Sequence, residues 1–243
     1  LNEAPNESGN TSLKKWNEFG AGNYKILINC FWANTIAGNN ASGIIKLDGC
    51  SNVTFSGGDP WGNMMTFRNN NTVGPTLVFL NGANHNIIEN CCFENRNTIN
   101  SPAANLGAIL FSTSNGPNGN NYNVINNCLI RNRSDISAIA HNGICSFGSP
   151  AFPNSFNTIS NCSFDIIDNY NIWITETGNG DGWSIKNNIF YWDKATPATT
   201  AQAGIYFNSP TSNANNIINN YIGRDGPPYF YGEWINNAAV SFT

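Results

Sequence analysis

Charge is scarce in this 243-residue chain. Asp, Glu, Lys and Arg together make up 11% of it, with 11 Lys and Arg against 15 Asp and Glu and a net charge of −4. So thin and scattered a set of cations excludes the concentrated basic face that nucleic-acid binding requires. No apolar run reaches the roughly 18 residues that span a bilayer, so no membrane span is expected. The opening LNEAPNESGN holds neither Met nor the apolar centre of a signal peptide, and reads as the start of a mature chain or of an excised fragment. Histidine is limited to two residues, and the seven cysteines include no CxxC pair. The familiar zinc spacings are therefore absent, and no metal or cofactor is implied.

Asparagine is what the chain has in excess: 47 residues, beside 23 Gly. Asn is a poor helix former that tolerates left-handed backbone and favours turns, so this composition points away from helices. It is also distributed in copies. Residues 86–93 read NIIENCCF, 123–130 read NVINNCLI and 157–164 read NTISNCSF, with looser copies WSIKNNIF at 183 and NNIINNYI at 215. Aligning them gives a column of Asn29, Asn90, Asn127, Asn161, Asn187 and Asn219. The first gap is 61 residues against 26 to 37 for the rest, so a further copy belongs at NVTFSG, with Phe55 in the Ile position and Gly57 in the Asn position.

A second series interleaves with the first. Its apolar pairs are Ile45/Leu47, Leu77/Phe79, Ile109/Phe111, Cys145/Phe147, Ile172/Ile174, Ile205/Phe207 and Val240/Phe242. Apolar residues two apart mark strands with one buried face, and two such strands per repeat of about 33 residues mark one turn of a solenoid. The expected fold is all-β: a right-handed, single-stranded parallel β-helix of about seven coils over residues 23–243, with 1–22 as a lead-in or cap. Equivalent residues then stack vertically. The inner column is expected to run Leu47, Phe79, Phe111, Phe147, Ile174, Phe207 and Phe242. Cys30, Cys91, Cys128 and Cys162 form a file of small buried thiols. Glu94, Arg131 and Asp165, each four residues past a column Asn, form an alternating charge column. As partly exposed pairs these are worth roughly 0 to 1 kcal/mol each.

The runs GIIKLDGCSNVTFSGGD, TLVFLNGANHNIIENCCFEN, GAILFSTSNGPNGNNYNVINNCLI and NTISNCSFDIID resemble the right-handed β-helix repeat regions of large secreted and cell-surface proteins of Bacteroidota. The resemblance covers residues 43 to 225. It implies an extracellular or cell-surface location, commonly reached by type IX secretion with a C-terminal sorting domain, and an adhesin-like role. It carries over no catalytic residues.

Three sets of residues could carry chemistry. Asp165, Asp168, Glu176, Asp181 and Asp193, with Lys186, are the densest charged set, but their offsets from the columns differ, as expected of solvated turns and edges. His85 falls in the turn GANHN and His141 in the loop AIAHNG, neither beside a nucleophile placed by sequence. The residues expected to face outward on the second series are Lys46, Val78, Leu110, Ser146, Trp173, Tyr206 and Ser241. An apolar strip of that kind is either covered or binds something. Loops 95–106 and 194–203 are the candidate covers. Trp173 and Tyr206, with Tyr229, Tyr231 and Trp234 of GPPYFYGEW, are the candidate contacts for polysaccharide or another surface protein. The sequence therefore reads as a structural and interaction module, an adhesin, stalk or filament segment within a larger chain or assembly. A carbohydrate-active lyase or hydrolase is the rival. AAVSFT opens a coil that no NxIxN strand completes, so further coils, a cap, a sorting domain or a partner are expected after Thr243.

Overall fold

The structure is a computed structural model, and it describes residues 6–16, 24–29, 34–58, 64–99, 101, 103, 105–137, 139–165, 167–175, 177–191, 203–208, 214–223 and 240–242. Every regular element among these residues is a strand, and the strands form three parallel sheets of eight, eight and seven. The first sheet holds Asn6–Glu7, Thr35–Gly38, Met65–Asn69, Cys91–Asn95, Leu129–Asn132, Ser163–Asp165, Ile189–Tyr191 and Tyr221–Gly223. The second holds Leu13–Lys14, Ile45–Asp48, Leu77–Leu80, Ile109–Phe111, Ala140–Ser146, Ile167–Ile174, Ala203–Phe207 and Val240–Phe242. The third holds Ile26–Asn29, Val53–Ser56, Ile87–Glu89, Val124–Asn126, Thr158–Ser160, Ser184–Lys186 and Asn216–Ile218. The chain visits the sheets in rotation, so the molecule is a parallel β-solenoid. The expected lead-in is itself part of it: Asn6–Glu7 and Leu13–Lys14 pair in register with the next coil.

Each coil carries three strands, where the sequence pattern predicts two. The reason lies in the column asparagines. Asn90, Asn127, Asn161, Asn187 and Asn219 all have φ between 50° and 56°, the left-handed region that Asn reaches more easily than most side chains. The bend splits each NxIxNCxF run into a strand of the third sheet and a strand of the first. Ile88, Ile125, Ile159 and Ile185 face the core before the corner, and Phe93, Ile130, Phe164 and Phe190 face it afterwards. Gly57 does stand level with Asn90, since a Cβ on Gly57 would lie 2.1 Å from the Asn90 carbonyl oxygen.

Asn29 is a correction. Ile28, not Leu27, aligns with Phe55, and Asn29 aligns with Ser56, one place short of the corner. ILIN has apolar residues on both parities, so the sequence alone does not decide which one faces in. Cys30 lies outside the described residues.

The inner column of the second sheet needs a second correction. Ile109, Leu110 and Phe111 pair with Ile144, Cys145 and Ser146, which pair in turn with Ile172, Trp173 and Ile174. Ile144 and Ser146 therefore face the core, and Cys145 and Phe147 do not. A register irregularity between Ala140 and Asn142 accompanies the shift, and a one-residue slip exchanges the two faces of a strand. The ring missing at Ser146 is supplied from elsewhere. Trp183 is fully buried, lies edge-on to Phe111 with centroids 5.3 Å apart, and donates from Nε1 to the Asn154 carbonyl at 3.1 Å. The Ser146 hydroxyl is itself satisfied: it donates to Asn179 Oδ1 and accepts from Asn154 Nδ2 at 3.0 Å.

A buried asparagine ladder holds successive coils together. Asn86, Asn123 and Asn157, the first residue of each motif copy, are fully buried. Asn123 Oδ1 accepts from Asn86 N and Nδ2 at 3.1 and 3.0 Å, and Asn157 Oδ1 accepts from Asn123 N and Nδ2 at 2.9 and 3.1 Å. Asn86, Asn123 and Asn157 also donate from Nδ2 to the carbonyls of Cys50, Ala83 and Asn120. Polar side chains are tolerated here because their bonding capacity is met by the coils above and below.

Cys91, Cys128 and Cys162 are free, buried and stacked, and Cys50, Cys92 and Cys145 are free and buried elsewhere. In the next two coils the place after the corner Asn is taken by Asn188 and Asn220, with Asn188 Oδ1 accepting from Cys162 N at 2.9 Å. Burial, reinforced by the neighbouring Cys162, holds the Cys128 thiol well above its ordinary value. Burial also pushes Cys50 up to about 12 and, against the pull of Arg131, Cys92 up to about 11. Two results follow. None of these six thiols is alkylated by iodoacetamide in the native chain at neutral pH, and all six are alkylated in denaturant, read by peptide mass. Native labelling of Cys128 would show that the file is not closed. Because Cys50, Cys92, Cys128 and Cys145 hold their protons more tightly in the folded chain than in the unfolded one, their contribution is complete below 9.0 and, for Cys50, is lost as pH rises towards about 12. The thermal midpoint should therefore fall across that window, more steeply than in a variant with Cys92 replaced by Ala.

Candidate functional site

Three surfaces concentrate chemistry. The outer face of the second sheet stacks Lys46, Val78, Leu110, Cys145, Trp173 and Tyr206 in register. Cys145 replaces Ser146 in the outward set for the reason given above. This face is largely closed. Leu106, fully buried, belongs to its apolar cluster, and Ile99, Phe147 and Tyr170 pack against it. Asn142 Nδ2 fastens the covering segment through the Ile99 carbonyl at 2.7 Å. Trp173 is 7% exposed, with Tyr170 edge-on at 4.7 Å, and Tyr206 stacks on Tyr170 at 4.8 Å. Trp173 therefore offers no open ring face, and Tyr206 is half-buried against its neighbours. The expected cover 194–203 lies outside the described residues except for Ala203. Tyr229, Tyr231 and Trp234 lie outside them too.

On the first sheet, Arg68, Glu94, Arg131 and Asp165 stand in one column. The Glu94 side chain is completely buried. Its two oxygens take Arg68 Nε at 2.5 Å and Arg131 Nη2 at 2.8 Å. Asp135 extends the network to Arg68 at 3.1 Å and Arg133 at 2.7 Å. This is more than the partly exposed column the sequence predicts, because the 133–135 segment lies over it, with Ser134 Oγ accepting from Arg68 Nη2 at 3.1 Å. Burying a carboxylate is tolerable only with such pairing. Replacing Glu94 with Gln should cost about 1 to 3 kcal/mol. The cost stays below that of a closed pair because both arginines, 18% and 31% exposed, can turn to water. A urea midpoint unchanged in the Gln variant would contradict this.

Of the other acids, Asp168 approaches His141 Nε2 at 3.8 Å, and His141 lies in the strand Ala140–Ser146 rather than in a loop. Glu176 and Asp193 lie outside the described residues. Among the described residues no three of His, Cys, Asp and Glu come together as a metal cluster.

The third surface is a groove of about 600 Å3 at the corner between the second and third sheets. Lys14 and Lys15, Asp48, Asn81, Asn84 and Asn118 line it, so it crosses four successive coils. Its floor is hollow because of glycine. Gly49 and Gly82 have φ of 68° and 79°, and an added Cβ would lie 3.1 Å from the Asn81 carbonyl oxygen and 3.2 Å from that of Asn118. Asp48 is already engaged, accepting from Asn81 Nδ2 at 2.7 Å and Ser12 Oγ at 3.4 Å. Among the described residues neither Lys14 nor Lys15 has an ion-pair partner, whereas Lys46 is tied to the Gly9 carbonyl.

Beside the groove, immediately after Asn84 in the chain, begins a column of rings. His85, Tyr122 and Phe156 stack at 4.9 and 5.0 Å, with interplanar angles of 16° and 5°. All three have left-handed backbone, φ 56°, 57° and 56°. Bulky side chains rarely adopt this region, and it costs on the order of 1 to 3 kcal/mol. Stacking offsets part of that, about 0.5 to 1.5 kcal/mol per pair. Even so, Tyr122 and Phe156 remain 48% and 45% exposed. The rings cover one another's faces, so solvent meets ring edges, the tyrosine hydroxyl and the imidazole. Sequence reasoning assigns only a turn histidine here. The signal was present as a ring in the place before each ladder Asn, in NHN, NYN and SFN.

No protein-family model, curated protein or solved structure matches the chain. No helix among the described residues is long and apolar enough to cross a membrane.

Proposed function

We propose that this chain is a structural and interaction module of an extracellular or cell-surface protein, a stiff solenoid that holds polysaccharide on its side. The observation that carries the reading is the polar groove across four coils, flanked by an exposed, backbone-strained column of rings. Strain that stacking offsets only in part, held in rings that stay exposed, is a reason to look for a ligand there. Groups that elsewhere would do chemistry are committed to holding the fold: Glu94 lies between two arginines, and Asp48 is bound by Asn81 and Ser12. The resemblance to Bacteroidota surface repeats supports placement outside the cell. Free thiols are uncommon there, and burial is what would shield these from oxidants.

The test is retention of the recombinant chain on a panel of insoluble and gel-immobilised polysaccharides, with released reducing ends and unsaturated products measured in the same samples. Binding without product is the expected result. Turnover would replace this reading with that of a lyase or hydrolase, and retention on no member of the panel would remove glycans as its partner.

A further inference from the structure

We propose that the groove lined by Lys14, Lys15, Asn81, Asn84 and Asn118 is the ligand site, and that it takes an anionic polysaccharide chain lying along the solenoid axis. The proposal rests on the interaction-module reading and narrows it to one surface and one class of ligand.

Charge makes the first part of the case. The chain is net negative, yet this groove sets two ammonium groups against one carboxylate, and that carboxylate is bound by Asn81 and Ser12. A ligand entering it meets surplus positive charge, which favours an anion over a neutral sugar. Hydrogen bonding makes the second. Asn84 Oδ1 accepts from the Asn121 backbone N–H at 2.7 Å, and among the described residues its Nδ2 makes no bond. Asn118 is exposed in the rim beside Pro117. Amide groups of this kind suit hydroxyl-rich ligands better than apolar ones.

Geometry makes the third. Successive coils stand about 4.8 Å apart, so four coils give a track of about 14 Å, open along the axis. Such a track accommodates a polymer better than a single small molecule. The ring column starts at His85, one residue past Asn84 of the groove lining, and offers C–H edges, an imidazole and the Tyr122 hydroxyl beside the track. Two lysines without an arginine or a wider basic face are too few for strong attachment to a nucleic acid backbone.

The test compares the whole chain with a variant carrying Lys14→Gln and Lys15→Gln. Both lysines are exposed, so the variant should keep the wild-type thermal midpoint. Affinity electrophoresis is run with polygalacturonate, dextran sulfate, neutral dextran and duplex DNA at low and at physiological salt. The two acidic polysaccharides should retard the native chain, the carboxylated and sulfated chains showing which anion is preferred. Neutral dextran should not retard it. The double variant should bind about tenfold more weakly, and salt should weaken the native interaction by a similar factor. Equal retardation by neutral dextran, or by DNA, would overturn the assignment of ligand class. Retardation by the acidic polysaccharides that the double variant leaves intact would overturn the groove while leaving the interaction-module reading standing. No retardation by any polysaccharide would overturn both.

Discussion

Replacing Phe111 with Ala lowers stability by about 3 to 5 kcal/mol, measured as a shift of the urea midpoint at constant slope. The size follows from where the ring sits. Phe111 is fully buried, stacked on Phe79 at 4.5 Å and 7°, with Trp183 edge-on from the other side at 5.3 Å. Collapse into the vacancy is opposed from both sides: Phe79 is fixed by its own strand, and Trp183 is tethered through Nε1 to Asn154. Poor relaxation is what drives a large-to-small substitution towards the upper part of its range. A midpoint unchanged in this variant would show that the column is not core.

Asn123→Ala should be nearly as damaging, about 3 to 4 kcal/mol, although it removes no apolar surface. The amide serves four groups that have no access to water: Asn86 N and Nδ2, which donate to its oxygen, and the Ala83 carbonyl and Asn157 Oδ1, which accept from its nitrogen at 2.8 and 3.1 Å. Removing it leaves all four buried and short of a partner, which is costlier than the net value of any one bond. Asn127 is the contrast. It sits at the corner, half-buried, and its amide makes a single bond to Asn90 Oδ1 at 2.7 Å. Asn127→Ala should cost about 1 to 2 kcal/mol, largely the strain of a Cβ at φ 50°. Asn127→Gly should recover much of that. If the two asparagines prove equally expendable, the buried ladder does not hold the coils together.

Much of this fold can be read in the letters because a solenoid repeats its decisions. Six of the seven second-sheet pairs have the register the two-residue spacing implies, and the corner asparagines from Asn90 onward share one backbone conformation. The misreadings fall where alternation carries no information. In GICSFG both parities hold a plausible core residue, and the strand is covered on both faces, so the slip that puts Ser146 inside and Phe147 outside leaves no periodic trace. Trp183, which fills the resulting space, comes from a different coil. In ILIN the apolar residues Ile26 to Ile28 again permit either register. The division of each motif into two strands was hidden because the bend occupies a single residue.

The candidate site was less legible for a different reason. The groove is formed by side chains that are absent, at Gly49 and Gly82, and by residues contributed from four coils. The aromatic candidates Trp173 and Tyr206 were legible as an outward apolar strip. The cover was legible too, since Ile99 and Leu106, which pack against that strip, belong to the loop 95–106 expected to close it.

The central claim is that each motif copy lies directly over the last, with Ile144 and Ser146 rather than Cys145 and Phe147 facing the core in the strand Ala140–Ser146. Through-space nuclear Overhauser contacts on a chain with labelled Ile methyls and aromatic rings test it most directly. The account predicts cross-peaks from the Phe111 ring to Phe79 and Trp183, and from the Ile144 methyls to those of Ile109 and Ile172. A Phe147 ring in contact with the ring of Phe111 and the side chain of Ile174, with Ile144 isolated from Ile109, would contradict it.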